Sequence, residues 1–568
     1  MTGLDRRSLS PAFWCLISCV LLTFLLYGSA LTGWWCCDDP QILKHALRYA
    51  PWEYFAVPEA WRQLIPYSLT PWLSFTYDFD NTLFGSHPAG YYAHNLLMIA
   101  FCAHMVYLIA RQWVDHWHAL GGAMLLLAGS PIMTASYQLM VRHYIEGLFF
   151  YLVALWLIIR GLRAENRRWM WLAGAAFAIA VTAKEIYVPL GIVPFLLPLG
   201  SFKQRFKTAW PLLLVMVVYV PWRWYMLGDV VGGYTPATEL GRGDVAAAVA
   251  QFAKVPELLL MWPWLGGAGL LLLVALLVKR KCNGWALLLL PLLLVLLLVP
   301  LVPLARQPGI GAGSDRYFIA LWAALALGAA VVSGLVATGR GIGIRLFSSA
   351  VVVVLIISAW CHARQVQSAM IPWLKEQSVQ GRALVMAEEQ DVIYLTPAVA
   401  PWYISGIIDL RRELGRHMQT PPRTASDEID LNESLLTDRR VVRYDHATQK
   451  MVDMTPQIPQ QQEGWRKKVR PAPLAVTMEF NAVTKIMQWQ LGPYESGNYT
   501  MLPDCGRQPL PAKGTLRMEN PILNVSYRFR YDSPDGWIAY TPPLRFVSDG
   551  AHHYRLHWQR QAPEGALR

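Results

Sequence analysis

The sequence predicts an α-helical polytopic membrane protein of about 11 transmembrane helices, followed by a C-terminal extracytoplasmic domain that is mixed α/β and then β-sandwich-like. Three observations predict it. Hydrophobic residues fill 54% of the 568 positions and charged residues only 15%, where soluble domains carry about 25% charged residues. The deficit is uneven. Residues 1–362 hold 25 Lys/Arg and 16 Asp/Glu, about 11% of positions, whereas residues 363–568 hold 25 and 22, about 23%. Finally, apolar runs of spanning length stop near residue 362, and short runs that alternate apolar and polar residues take over.

This composition excludes a disordered chain and argues against a soluble enzyme. A net charge of +12 on a soluble surface would suggest nucleic acid. Here +9 of it comes from residues 1–362, mostly in short loops between apolar runs, so no nucleic-acid partner is expected. The eight cysteines, at 15, 19, 36, 37, 102, 282, 361 and 505, show no metal-ligand spacing. They read as small buried residues and not as a disulfide framework.

The apolar runs begin near residues 12, 91, 119, 144, 169, 186, 210, 257, 285, 317 and 346. The first is too long for a signal-peptide core and reads as an anchor. The runs at 169–183 and 186–200, separated by Lys184-Glu185, read as a helical hairpin. Alternate loops carry 15 basic residues against three acids, and the opposite loops carry 10 against 13. By the positive-inside rule the first set is cytoplasmic, which puts the N-terminus inside and the C-terminal domain outside.

Residues 1–362 are therefore the membrane region, with a long first outer loop at 34–90. Its aromatic residues (Trp34, Trp35, Trp52, Tyr54, Phe55, Trp61, Trp72) suggest short helices lying in the headgroup layer. Residues 363–453 read as mixed α/β, with a strand at 391–396, and the Pro/Gln-rich stretch 454–473 as a linker. Residues 474–568 alternate in short runs such as NVSYRFRY and HHYRLHW, the period of strands in a small β-sandwich.

Acids are scarce in the membrane region, so each needs a reason. Asp38 and Asp39 follow the first helix in Trp34-Trp35-Cys36-Cys37-Asp38-Asp39-Pro40. Adjacent carboxylates there suit a general base beside a second carboxylate that binds a cation or donor. The alternative is a helix cap, for which Asp39, next to Pro40, is the better placed. Glu146 opens the fourth helix after Arg142-His143, as a functional acid or one held by the helix dipole. Lys184-Glu185 at the hairpin tip could be a site or a surface ion pair. Arg316 at the mouth of the tenth helix could hold a phosphate or snorkel to the interface. Asp78-x-Asp80 has a spacing linked to divalent metal, but also fits an amphipathic helix. His94 and His104 read as packed histidines. All the stronger candidates fall on the outer face.

With these residues in place, the sequence resembles the GT-C superfamily of integral-membrane glycosyltransferases, over roughly residues 12–340. The pattern is that of the protein O-mannosyltransferases and related bacterial enzymes, including the aminoarabinose transferase of lipid A. It rests on Asp38-Asp39 after the first helix and Leu83-Phe84-Gly85-x-x-Pro88-x-Gly90-Tyr91 running into His94-Asn95-Leu96-Leu97. It continues with Glu146, Lys184-Glu185 before Pro189, and Arg316-Tyr317. The resemblance implies an inverting glycosyltransferase that moves a sugar from a polyprenyl-phosphate donor to an acceptor hydroxyl at the extracytoplasmic face. Asp38 or Asp39 would be the base, and Lys184 and Arg316 would hold the leaving phosphate, with Glu146, Glu185, His143 and Arg142 in support. Family members commonly have Asp-Glu where this chain has Asp38-Asp39, which leaves open which carboxylate is the base. The resemblance fixes no cofactor: metal dependence differs among its branches, and Asp78 and Asp80 are weak candidate ligands for a divalent cation.

The expected partners are the lipid-linked donor, the bilayer, and an acceptor that is protein, lipid or glycan. The expected location is the bacterial inner membrane. A transporter or flippase for a lipid-linked glycan is the alternative, but it calls for paired repeats, broken helices and mid-membrane charges, which the sequence does not show. A membrane scaffold would explain the C-terminal domain and leave the outward acids unexplained. A reporter active only in the cytoplasm, fused after Arg568, is expected to be silent; activity there would overturn the orientation.

Overall fold

The structure, a computed structural model, describes residues 11–164, 166–230, 253–278, 295–298, 301, 315–388, 391–413, 423–432, 439–484, 486–503, 506–517, 525–548, 550 and 552–559. It comprises two compact units. The first is Met1–Gly33, Tyr54–Pro58 and Ser68–Ile371; the second is Trp34–Glu53, Glu59–Tyr67 and Pro372–Arg568.

Six helical segments of the described residues are long and apolar enough to cross a membrane: Pro11–Thr32, Pro88–Ala110, Leu139–Ala164, Phe202–Leu227, Asp315–Ala337 and Ile342–Met386. A bent pair, His116–Ala128 and Ser130–Tyr137, makes up to seven. The chain is a multi-pass membrane protein. The expected runs at 169, 186 and 257 appear as shorter helical segments. The run at 285 lies outside the described residues except for 295–298.

The bent pair departs from the unbroken helices read in the sequence. The two parts meet at 53° because Gly129 is extended and Pro131, second in the next helix, fits a helix start and not its interior. Trp322 fills the bend and donates its Nε1–H to the Leu126 carbonyl at 3.0 Å. A Cβ on Gly129 would lie 2.1 Å from that nitrogen, so only glycine admits the indole. Close helix packing uses the same device: a Cβ on Gly122 would lie 2.8 Å from that of Ala330, the small-residue contact of membrane helices.

Short helices do occupy the long first loop, at Asp39–Arg48, Glu53–Ala56, Pro58–Arg62 and Pro71–Phe84. Their aromatics do not all face outward as expected. Trp35, Tyr54 and Trp61 are buried, while Trp52 is exposed. Apolar rings that can pack inside the protein gain more contact there than at a headgroup layer.

In the second unit a four-stranded sheet has the order β2-β1-β3-β4, from Asp391–Tyr394 (β1), Arg423–Ala425 (β2), Arg440–Asp445 (β3) and Lys450–Asp453 (β4). Strands β1, β2 and β3 are parallel and β4 is antiparallel. The helix Ile342–Met386 runs through residue 362, and its last part, with the helix Pro401–Glu413, belongs with this sheet's core. Residues 454–473, expected as a linker, contain the helix Ile458–Lys468. Its proline sits in the first turn, where the missing N–H costs nothing, and Arg466, Lys467 and Lys468 in the last turn suit the dipole.

From Leu474 onward two antiparallel sheets share one core. One has five strands: Val547–Ser548 (β12), His553–Gln559 (β13), Ala475–Asn481 (β5), Ile486–Gly492 (β6) and Lys513–Arg517 (β9). The other has four: Ile538–Tyr540 (β11), Arg528–Asp532 (β10), Asn498–Leu502 (β7) and Gln508–Leu510 (β8). Alternate residues Val476, Met478 and Phe480 of β5 meet Tyr499, Phe529 and Tyr531 from the other sheet, as strand periodicity requires. Arg530 joins this sandwich to the α/β part by ion pairs to Asp427 at 2.6 Å and Glu428 at 2.8 Å.

Candidate functional site

The acidic pair belongs to the second unit. Asp38 is the N-cap residue of the helix Asp39–Arg48, but its carboxylate makes no capping bond. Its backbone carbonyl accepts from Gln41 and Ile42 N–H, each at 3.1 Å. Asp39 is the first helical residue, fully buried, and its Oδ2 accepts from Cys36 N–H at 2.9 Å. The sequence reading favoured Asp39 as the cap, and the structure corrects it. Pro40 occupies the second helical position, one residue later than a cap at Asp39 would need. The two carboxylates thus differ in kind: Asp38 is exposed and Asp39 turns inward to close its own turn.

The other candidates belong to the first unit. At its centre Arg142 is wholly buried. Nη1 donates to Asp80 Oδ2 at 2.6 Å, and Nε donates to Glu146 Oε1 at 3.1 Å and to Thr76 Oγ1 at 3.2 Å. Thr76 in turn donates to Glu146 Oε2 at 3.2 Å, and His94 Nδ1 lies 2.8 Å from Asp80 Oδ1. The guanidinium stacks over Tyr77 at 4.9 Å. Asp80 is therefore committed to Arg142 and His94 through both oxygens, and Glu146 to Arg142 one helical turn away.

This changes the expected roles. Asp78 and Asp80 do not join a cluster: among the described residues no group of three or more His, Cys, Asp or Glu side chains is arranged to hold a metal. Asp78 is half-buried, and burial pushes its carboxyl up from the ordinary range.

Lys184 and Arg316 form the basic part. Lys184 Nζ donates to Ser68 Oγ at 3.3 Å and lies 4.9 Å from the centre of the Tyr144 ring. Arg316 lies 5.0 Å from the centre of the Tyr317 ring and donates to Gln138 Oε1 at 3.2 Å. The two tyrosines meet edge to face at 6.1 Å. Two cations thus stand on one aromatic pair, which attracts each through its ring face. Asp315, buried, accepts from Thr134 Oγ1 at 2.9 Å and fixes the turn ahead of Arg316. Glu185 is not the partner of Lys184: its Oε1 accepts from Arg223 Nε at 2.7 Å, Tyr219 OH at 3.1 Å and Leu69 N–H at 2.9 Å. His143 is buried against Tyr144, ring centres 4.6 Å apart.

The sequence assigns no role to Tyr144, Tyr317, Thr134, Gln138 or Arg223. Their only sequence signal is adjacency, as in His143-Tyr144 and Arg316-Tyr317, and adjacency says nothing of which ring a cation will face.

Such an arrangement lets the buried arginine be tested apart from the basic pair. Arg142→Met removes the cation and leaves Asp80 and Glu146 buried without it. Breaking a buried pair in this way costs about 3–5 kcal/mol. The variant is expected to unfold at a markedly lower temperature in detergent; an unchanged melting temperature would show that the network carries no stability.

Residues 68–225 match the family model described as dolichyl-phosphate-mannose-protein mannosyltransferase. That span includes Asp80, Arg142, Glu146 and Lys184, and excludes Asp38 and Arg316. No curated protein matches the chain with significant similarity. Among solved structures, ArnT from Cupriavidus metallidurans in the apo state is similar at 13% identity and a TM-score of 0.44, covering 77% of this chain and 94% of that one. ArnT from the same organism bound to undecaprenyl phosphate is similar at 14% identity and a TM-score of 0.35, covering 78% and 94%. Likeness of this degree carries no argument about mechanism. The family-model match covers just over a quarter of the chain and falls within the helical membrane region.

Proposed function

We propose that the protein is an inverting glycosyltransferase of the bacterial inner membrane. It moves a sugar from a polyprenyl-phosphate donor to an acceptor hydroxyl at the extracytoplasmic face, with its N-terminus in the cytoplasm. The observation that carries this reading is the pair of cations, Lys184 and Arg316, held on the contacting rings of Tyr144 and Tyr317. Two cations on one platform suit a phosphate group, which offers several charged oxygens at once. The family whose model matches residues 68–225 is named for a lipid-phosphate-linked sugar donor, which agrees with a phosphate there.

In this reading Asp38 accepts the proton of the acceptor hydroxyl. The acceptor oxygen forms a bond to the anomeric carbon from the face opposite the phosphate. The bond from that carbon to the phosphate oxygen breaks, and polyprenyl phosphate leaves with the electron pair. Configuration at the anomeric carbon inverts. Lys184 and Arg316 stabilise the charge that gathers on the departing phosphate, an electrostatic task. Asp38 suits the base because it is exposed, whereas Asp39 is fully buried. Arg142, Glu146 and Asp80 hold the framework. The acceptor is a protein, a lipid or a glycan.

The transporter alternative gains one feature, the bent helix pair at residue 129. A single bend filled by Trp322 is not a pair of inverted repeats, so the transferase reading stands ahead of it.

Asparagine caps a helix about as well as aspartate but cannot take the proton. Asp38→Asn is therefore expected to give a folded protein whose transfer rate is lower by about 10²–10⁴-fold, the usual worth of a general base. A near-normal rate in Asp38→Asn, measured with a radiolabelled polyprenyl-phosphate sugar, would put the base elsewhere.

The phosphate assignment has its own outcome. Lys184→Ala is expected to raise KM for the lipid donor by at least about tenfold, the loss of a charge-assisted bond worth roughly 1.5–3 kcal/mol. An unchanged donor KM would remove Lys184 from the site.

A further inference from the structure

The turn that delivers Asp38 has an unusual backbone. Cys37 has φ 54°, in the left-handed region, where a side chain other than glycine is strained. Such a conformation persists only when its surroundings fix it. Here they come from residues more than 330 positions away in sequence but within the same unit.

Cys37 N–H donates to Gln377 Oε1 at 2.7 Å. Gln377 is buried at 2% exposure, and its Nε2 donates to the Ala398 carbonyl, just beyond β1, at 3.3 Å. Two residues before Cys37, the Trp35 carbonyl accepts from Tyr403 OH at 3.0 Å, and that hydroxyl also lies 3.3 Å from the Gln377 carbonyl. Tyr403 is fully buried. After the acidic pair, Gln41 Nε2 donates to the Trp402 carbonyl at 2.9 Å, and Lys44 pairs with Asp409. Pro40 and Gln41 rest on Gly406, where a Cβ would lie 3.1 and 3.0 Å from their side chains. Asp38-Asp39 is thus gripped on both sides by residues 377–409. His45, further along the same helix, bonds to the Ala60 carbonyl at 2.8 Å; burial holds it down to about 4, so the ring is neutral at pH 7.

We propose that Gln377 and Tyr403 are positioning residues for Asp38, so that the α/β part of the C-terminal region is a working part of the active site. The inference rests on the reading of Asp38 as the base. Gln377 supplies the acceptor that keeps the Cys37 N–H satisfied in the left-handed turn. Without it, that buried N–H loses its partner and the turn relaxes to negative φ, which re-aims the residue that follows. Tyr403 anchors the strand-like entry to the turn through the Trp35 carbonyl.

The test uses the full-length protein in nanodiscs. Gln377→Ala is expected to lower kcat by about 10–100-fold, the usual effect of misplacing a reacting group by about 1 Å, with donor KM within about twofold. Tyr403→Phe, which keeps the ring and loses only the hydroxyl, is expected to act in the same direction. Adding Cys37→Gly to Gln377→Ala should restore much of the loss, because glycine occupies positive φ without strain. A merely structural role would not produce that rescue. A second readout is independent of activity: Cys37 is a buried free thiol, and its alkylation rate, read by mass spectrometry, should rise in Gln377→Ala. Unchanged Cys37 labelling together with kcat within about twofold of wild type overturns the proposal. A loss of kcat that Cys37→Gly fails to relieve, with donor KM rising in parallel, also overturns it. If wild-type protein transfers no sugar from any polyprenyl-phosphate donor, the functional reading fails, while Cys37 labelling still decides whether Gln377 holds the turn.

Discussion

A guanidinium with no access to water is the constraint on which the first unit depends. Arg142 is wholly buried, and arginine stays charged in proteins, so its charge must be matched inside the fold. The matching groups come from three separate elements: Thr76 and Asp80 from the helix Pro71–Phe84, His94 behind Asp80 from Pro88–Ala110, and Glu146 from its own helix. The loop helix therefore cannot leave the membrane helices without stranding a charge. Tyr144 stands two residues beyond Arg142 on that same helix and carries Lys184 over its ring. The placement of the basic pair thus follows from the placement of the buried arginine.

Charge serves two opposite purposes in this chain. In the Arg142 network, carboxylates and cation are paired with one another inside the fold. At Lys184 and Arg316 the cations rest on aromatic faces, which attract without neutralising. A ring pair can hold two like charges near one place. The neighbouring Glu185 gives one of its oxygens to Arg223, Tyr219 and Leu69 N–H.

The second unit solves a related problem with backbone geometry. An exposed carboxylate proposed as a base must be aimed, and the backbone that carries it can do so. The left-handed Cys37 turn fixes the direction, and Gln377 fixes the turn. Asp39, chemically identical to its neighbour, is turned inward by one bond to Cys36 N–H. Identical side chains at adjacent positions thereby receive different surroundings, one exposed and one buried.

Much of this was legible in the sequence. Apolar runs of spanning length, the shift in charge at about residue 362, and the period-2 runs after Leu474 determined a helical membrane region followed by a β-rich part. These are local properties of the chain, set by hydrophobic periodicity. Local signals failed where a residue's role depends on distant neighbours. Asp80 and Glu146 are candidates by sequence, and only the fold shows Arg142 between them. Asp39 looks like a cap until the helix is seen to begin one residue earlier. Pro131 and Pro459 are breakers or starters according to which turn they occupy. The tertiary structure decided which acids are spent on Arg142, which rings the two cations face, and that Gln377 grips Cys37 across 340 residues. Burial and hydrogen bonding act through space, and no spacing along the chain encodes them.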